Sequence, residues 1–298
     1  MMDALTHYIL KPLQRVQYSV HARKLPAKVL LVAMLCTALP STQAVEMQPS
    51  EYRNALADAM KLFQQQSAES LQLLTPVAIP ESSPFHELAL KNVVRLQAEN
   101  KRFGEVWVKS PLNQTNPVVV QIPHKYFDKH TEEIGWALFK LPQVDMIMFN
   151  DEQRYTTENS DLTHIQYSLF TAFADAAIRL KTPVKFIQIH GFSRDKRNTE
   201  AGEQADIILS NGTHYPFAFM NKIQICVRDK AKLLARIYGH DVDELGATQN
   251  RVGQRLNTQA NRTPTTTAHF LHVEVSDSLR AVWKSSQLPP GLALCFLQ

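Results

Sequence analysis

From residue 116 onward, apolar runs of strand length alternate with segments of helix length, and this alternation limits the chain to few architectures. "NPVVVQIP" (116–123), "VDMIMFN" (144–150), "VKFIQIH" (184–190), "ADIILSNG" (205–212) and "HFLHVEVS" (269–276) read as buried strands. Between and after them, "TEEIGWALFK", "LTHIQYSLFTAFADAAIRL", "KAKLLARIYG" and "SLRAVWKSS" read as helices. Alternation of this kind predicts an α/β fold, a mostly parallel or mixed sheet with helices on both faces. Two more helices are expected ahead of it, over 50–74, with Ser50 as cap, and over 84–104.

The domain reading follows from the N-terminus. Lys11, Arg15, Arg23, Lys24 and Lys28 precede the apolar run 29–39, and "TQA" (42–44) offers small residues for cleavage. This is the pattern of an export signal over 1–44, with the mature chain starting near Val45 in the periplasm or outside the cell. The run is short for a stable membrane span, an uncleaved anchor being the alternative. Residues 45–110 would form an N-terminal helical segment packing on a main domain over 111–298. Cys226 and Cys295, both in strand-like contexts, either pair in an oxidising compartment or stay as buried thiols. A net charge of +4 over 298 residues makes no case for nucleic acid as a partner. No glycine-rich phosphate loop and no Gly-x-Ser-x-Gly elbow occurs.

Two histidines stand out by position. His124 follows one strand and His190 ends another, the edge of a parallel sheet where ligands bind. Asp128 lies four residues after His124. Two histidines and a carboxylate are the donor set of a catalytic zinc site with one position left for water. On "HFLHVEVS", Phe270, His272, Glu274 and Ser276 share a face, and a glutamate among Val and Leu is costly to bury without a use. Each residue also has an ordinary reading: a loop histidine, a helix-capping Asp128, a Glu274 paired with arginine. Asp161 and His164 read as a helix cap and a surface histidine.

"VVVQIPHKYFD", "FIQIHGF" and "HVEVSDSLR", in that order, resemble the zinc carboxypeptidase-like superfamily over roughly residues 116–284. The nearest likeness is to its short deacylase branch, which includes N-formylglutamate amidohydrolases and poly-γ-glutamate hydrolases. The resemblance implies one zinc ion held by His124, Asp128 and His190, with Glu274 as general base. The family's His-x-x-Glu motif reads here as His124-x-x-x-Asp128, which leaves Glu132 and Glu133 as alternative carboxylates. A literal His-x-x-Glu stands at His130 and Glu133. Arginines suit carboxylate recognition, and Arg154 and Arg255 are favoured among Arg194, Arg197, Arg251 and Arg280. The expected function is an exported zinc-dependent hydrolase of an amide bond in a small peptide or N-acyl amino acid. The alternative is a noncatalytic periplasmic ligand-binding protein that kept the fold.

Overall fold

The computed structural model describes residues 46–65, 68–81, 92–98, 103–112, 115–155, 160–260, 269–284 and 288–298, all within the unit Thr42–Gln298. The expected signal segment, residues 1–44, lies outside the described residues. Among those described, no helix is long and apolar enough to cross a membrane.

The chain enters through helix α1 (Pro49–Phe63) and three strands, β1 (Leu74–Val77), β2 (Val93–Ala98) and β3 (Glu105–Lys109). Then follow β4 (Val118–Ile122), α2 (Thr131–Phe139), β5 (Met146–Phe149), α3 (Leu169–Leu180) and β6 (Lys185–Phe192). The second half holds α4 (Glu200–Gln204), β7 (Ile207–Ser210), α5 (Ala218–Cys226), β8 (Ala235–Ile237), α6 (Arg251–Ala260), β9 (His269–Ser276), α7 (Asp277–Trp283) and α8 (Pro290–Phe296). All nine strands join one sheet in the order β1-β2-β3-β5-β4-β6-β9-β7-β8. Its centre, β5-β4-β6-β9, is parallel; β1, β2 and β3 add antiparallel strands at one edge, and β7 runs antiparallel to β9. The α/β class with a mixed sheet is therefore as expected.

Central strands are apolar on both faces because helices cover both. Val120, Ile122, Ile147, Phe149, Ile187 and Ile189 pack toward α2, α5, α7 and α8. Val119, Met146, Met148, Phe186 and Phe270 pack toward α1, α3 and α6. On this second face the side chains change character along the strands. On β6 the sequence is Phe186, Gln188, His190, and on β9 it is Phe270, His272, Glu274. Period-two alternation thus carries an apolar layer into a polar one toward the C-terminal edge.

Several expectations are corrected. The 45–110 stretch is not wholly helical: helix α1 ends at Phe63, and Val93–Ala98, placed in a second helix, is β2. The first half of that expected helix, residues 82–91, lies outside the described residues. Helix α1 starts two residues earlier than Ser50 implies, with Pro49 at its first position and the Gln48 amide donating to Glu51 (2.8 Å). Buried Asp58 ends its reach by accepting from the amides of Gln72, Leu73 and Leu74, which seats β1 against α1. Residues 162–168 precede α3 as a loop, and Ser168 caps that helix through Thr171 N. "KAKLLARIYG" is not a helix: a π-helical turn, Val227–Ala231, closes at Lys232 in the left-handed region, and Ala235–Ile237 is β8. Cys226 and Cys295 end up in helices α5 and α8, not in strands, because each apolar run is covered on only one face. Helix α6 was not anticipated; Asn250 caps it, Oδ1 accepting from Val252 N (3.1 Å) and Gly253 N (3.3 Å).

Candidate metal centre

The turn after β4 folds back on itself. Phe127 N and Asp128 N both donate to the His124 carbonyl, at 2.9 and 2.7 Å, which brings the Asp128 carboxylate under the His124 ring. Across the parallel pair β4–β6, His190 comes in from inside β6 rather than past its end. Three donor atoms then converge. His124 Nδ1 stands 3.1 Å from His190 Nδ1, and Asp128 Oδ2 lies 3.4 and 3.6 Å from the two nitrogens. All three residues are buried.

The outer nitrogens are spoken for. His124 Nε2 faces Asp161 Oδ1 at 2.9 Å, and His190 Nε2 faces Gln188 Oε1 at 2.9 Å. A proton on each Nε2 satisfies these acceptors and leaves both Nδ1 lone pairs for the shared point, an arrangement common around metal-binding histidines. Gln188 is itself fixed: its Oε1 also accepts from Asn250 Nδ2 (2.5 Å), and its Nε2 donates to Gln121 Oε1 (3.0 Å). Asp161 also accepts from Arg154 Nε (2.8 Å), Thr163 N (3.0 Å) and Thr163 Oγ1 (2.6 Å).

Charge follows the same geometry. Burial works to raise the Asp128 and Asp161 pKa values, yet the neighbouring histidines hold both carboxyls well below their usual range. His124, between those carboxylates, is raised despite burial. Burial pushes His190 down to about 4 and His272 well below its ordinary value. Glu274, beside His190 in the β6–β9 register, is pushed up to about 8 by burial and next by Asp128.

Ligands held in a tetrahedron at about 2.0–2.2 Å stand roughly 3.3–3.6 Å apart. The observed separations of 3.4 and 3.6 Å fall in that range, and the third, 3.1 Å, is about 0.2 Å short of it. Asp161 already pairs with Arg154 (2.8 Å), whereas Asp128 faces the two histidines, and Glu274 Oε2 is buried without a hydrogen-bond partner among the described residues. The residues fit.

Of the sites read from sequence, the fold gathers His124, Asp128 and His190 into one donor group, and His124, His190, Glu274 and Arg154 line one cavity of about 170 Å³. Arg255 is not brought there: it pairs with Asp175 (2.8 Å) and lines a separate groove between α3 and α6. The literal His130/Glu133 pair makes its own contact (3.2 Å) at the surface, and Glu132 accepts from Trp136 Nε1 (3.2 Å). Arg194 and Arg197 are tied to Asp206 and Glu244. Arg280, another of the candidate arginines, is buried and donates to the carbonyls of Val275 (3.1 Å), Phe192 (3.3 Å) and Lys129. Ser210 supports the cavity wall from behind by donating to the Gly246 carbonyl (2.6 Å). Asp161, Gln188 and Asn250 were missed, and His272 was seen only as a face-mate of Glu274.

No protein-family model and no curated protein sequence matches the chain. Solved structures similar to it include the zinc-free apo form of YNDL, at 16% identity over 65% of this chain and 89% of that one, TM-score 0.39. An aspartoacylase family protein from Mesorhizobium loti shares 13% identity over 70% of this chain and 66% of that one, TM-score 0.36. A metallo-carboxypeptidase from Burkholderia cenocepacia shares 12% identity over 82% of this chain and 66% of that one, TM-score 0.36. These likenesses are distant, and the functional reading stands on the geometry of His124, Asp128, His190 and Glu274.

Proposed function

We propose that the chain is an exported zinc-dependent hydrolase that cleaves an amide bond in a carboxylate-bearing peptide or N-acyl amino acid. The observation that carries this reading is the His124–Asp128–His190 donor triangle beside buried Glu274, whose Oε2 lacks a partner among the described residues. Zinc bound by His124, Asp128 and His190 would act as a Lewis acid and acidify a water molecule.

The chain's own groups do the rest. Glu274, with its pKa pushed up to about 8 by burial, is suited to take a proton from the attacking water and pass it to the leaving amine. Asp161 and Gln188 hold the two histidines in the tautomer that presents Nδ1. Asp161 holds Arg154 by its Nε, and the terminal guanidinium nitrogens have no hydrogen-bond partner among the described residues. Aromatic rings flank that guanidinium, Tyr155 at 5.4 Å and Phe127 at 6.0 Å. A fixed planar fork at the cavity mouth suits a substrate carboxylate. The Cys226–Cys295 disulfide supports the export component, since such bonds persist in oxidising compartments.

The test is elemental analysis for zinc, together with hydrolysis of a panel of N-acyl amino acids and short peptides. His190→Ala should lose zinc and turnover together. Glu274→Gln should keep zinc and lose at least ~10²-fold in rate, the lower range of general acid–base contributions. Full zinc in His190→Ala, or near-normal rate in Glu274→Gln, refutes the assignment. Zinc in the wild type with no turnover on the panel favours a ligand-binding protein instead.

A further inference from the structure

The loop between β8 and α6 runs along the cavity with its backbone in a rare conformation. Leu245 (φ 63°) and Ala247 (φ 52°) both lie in the left-handed region, and both line the cavity. Residues with side chains adopt that region at a cost. The glycine between them, Gly246, is not left-handed; a Cβ there would meet the Tyr238 ring. The loop is held from outside. Glu244 accepts from Asn198 N (3.2 Å) and Thr199 Oγ1 (3.0 Å), and pairs with Arg197 (3.2 Å). Ser210 holds the Gly246 carbonyl, and Asn250 N donates to the Ala247 carbonyl (3.0 Å). Strained backbone that its surroundings enforce is a feature of ligand sites.

What the enforced backbone presents is an amide. A trans peptide turns its N–H opposite to its C=O. The Gly246 carbonyl points to buried Ser210, behind the cavity wall, so the Ala247 N–H points the other way, from the wall toward the cavity that Ala247 lines. It has no acceptor among the described residues, and neither has the N–H of Leu245. A fixed donor in a cavity wall is satisfied by what fills the cavity.

The sheet order decides which part of a ligand reaches it. Strands β5, β4, β6, β9 and β7 are neighbours in that order; Arg154 and His124 follow the first two, and His190, Glu274 and Ser210 lie in the other three. Arg154 and the loop pinned to Ser210 therefore stand at opposite flanks of the cavity, with the metal donors between them. On the hydrolase reading above, on which this inference rests, the substrate carboxylate lies on Arg154 and the scissile carbonyl at the metal centre. The part that reaches Ala247 is then the acyl side. We propose that the Ala247 N–H donates to a second carbonyl oxygen on the acyl side of the scissile bond, so that the substrate is a peptide with a further amide there and not a simple N-alkanoyl amino acid. An alkanoyl group has no oxygen but the scissile one and leaves this donor unpaired. Ala247 takes no part in bond making; its amide is a specificity-determining donor.

Two probes separate the classes: N-acetyl-L-alanyl-L-alanine, and N-(2-methylpentanoyl)-L-alanine, in which two methylenes replace the outer amide. Their binding is measured by calorimetry on zinc-loaded Glu274→Gln protein. The peptide should bind roughly 10–100-fold more tightly, as expected where the other probe leaves one buried donor unpaired. Ala247→L-lactic acid in the same protein keeps the side chain and replaces the N–H by an ester oxygen, and it should remove most of that preference. In protein that keeps the N–H, the amide proton of ¹⁵N-labelled Ala247 should shift downfield with the peptide and not with the alkanoyl probe, a readout independent of whether the ester variant folds. Equal binding of the two probes, no amide shift or the same shift with both, or an unchanged preference in the ester variant overturns the proposal. So does an ester variant that loses affinity for both probes equally, which would put the carboxylate or the scissile carbonyl at Ala247 instead. Failure of the wild type to hydrolyse any panel member counts against the hydrolase reading, and the amide shift and probe preference still decide what Ala247 binds.

Discussion

At the scale of single residues, the site depends on what stands behind the donors. His124 touches Asp128 with one nitrogen and Asp161 with the other, so its ring is fixed from both sides. Removing the outer carboxylate frees the ring to rotate. Asp161→Ala should weaken zinc binding about 10–100-fold, the usual range for groups that orient a metal ligand. Asp161→Asn, which keeps an acceptor oxygen, should lose less. Competition against a chromophoric chelator reads both, and unchanged affinity in Asp161→Ala would show that His124 is oriented by something else. This residue also marks the limit of reading the sequence. His190 and Glu274 are legible because each sits at a fixed phase of an apolar strand, and His124 because it closely follows one. Asp161 lies in a loop with no period, 37 positions from its partner, and only the folded chain brings them to 2.9 Å. Arg255 shows the converse: its side chain suits a carboxylate, but Asp175 already supplies one.

At the scale of elements, the glycine after His190 finds its reason. Gly191 is followed by a strand residue, not by a turn, so backbone freedom is not what it provides. A Cβ on Gly191 would overlap the guanidinium of Arg280. That guanidinium ties the carbonyls of Phe192 on β6, Val275 on β9 and Lys129 after the metal-site turn. Gly191→Ala should therefore destabilise the fold by roughly 1–3 kcal/mol, as overpacking does. Urea unfolding measures it. Combined with Arg280→Ala, the two losses should be clearly less than additive, because the second change removes the obstacle to the first. Simple additivity would mean that Gly191 matters for another reason. The strand and helix errors have a common physical origin. β2 and β8 lie among the outer strands of the sheet with partly exposed side chains, and the cysteine helices are buried on one side only, which leaves periodicity ambiguous. The central strands were legible because burial on both faces makes their apolar runs continuous.

At the scale of the whole molecule, the two faces of the sheet divide the work. The polar stripe of Gln121, Gln188, His190, His272 and Glu274 lies on the face packed by α3 and α6, while the disulfide joins α5 and α8 on the other. Cys226 and Cys295 are 69 residues apart in sequence and 5.5 Å apart at Cα. A cross-link over so long a loop restrains the unfolded chain most, and a native bond of this kind is worth roughly 2–4 kcal/mol. Its loss should be felt in stability and not in the metal centre, because the sheet separates them. In urea, the reduced and alkylated protein, or Cys226→Ala/Cys295→Ala, should unfold at lower concentration by that amount. Zinc affinity under native conditions should stay within about twofold of the oxidised protein, as expected for distant, independent sites. Mass spectrometry of the native chain, alkylated without reductant, should show no modification at either cysteine. Free alkylation of both would refute the pairing. A fall in zinc affinity with the bond removed would instead mean that the two faces are mechanically coupled, with β9 as the shared element, since Val273 and Val275 pack toward the disulfide side while His272 and Glu274 line the cavity.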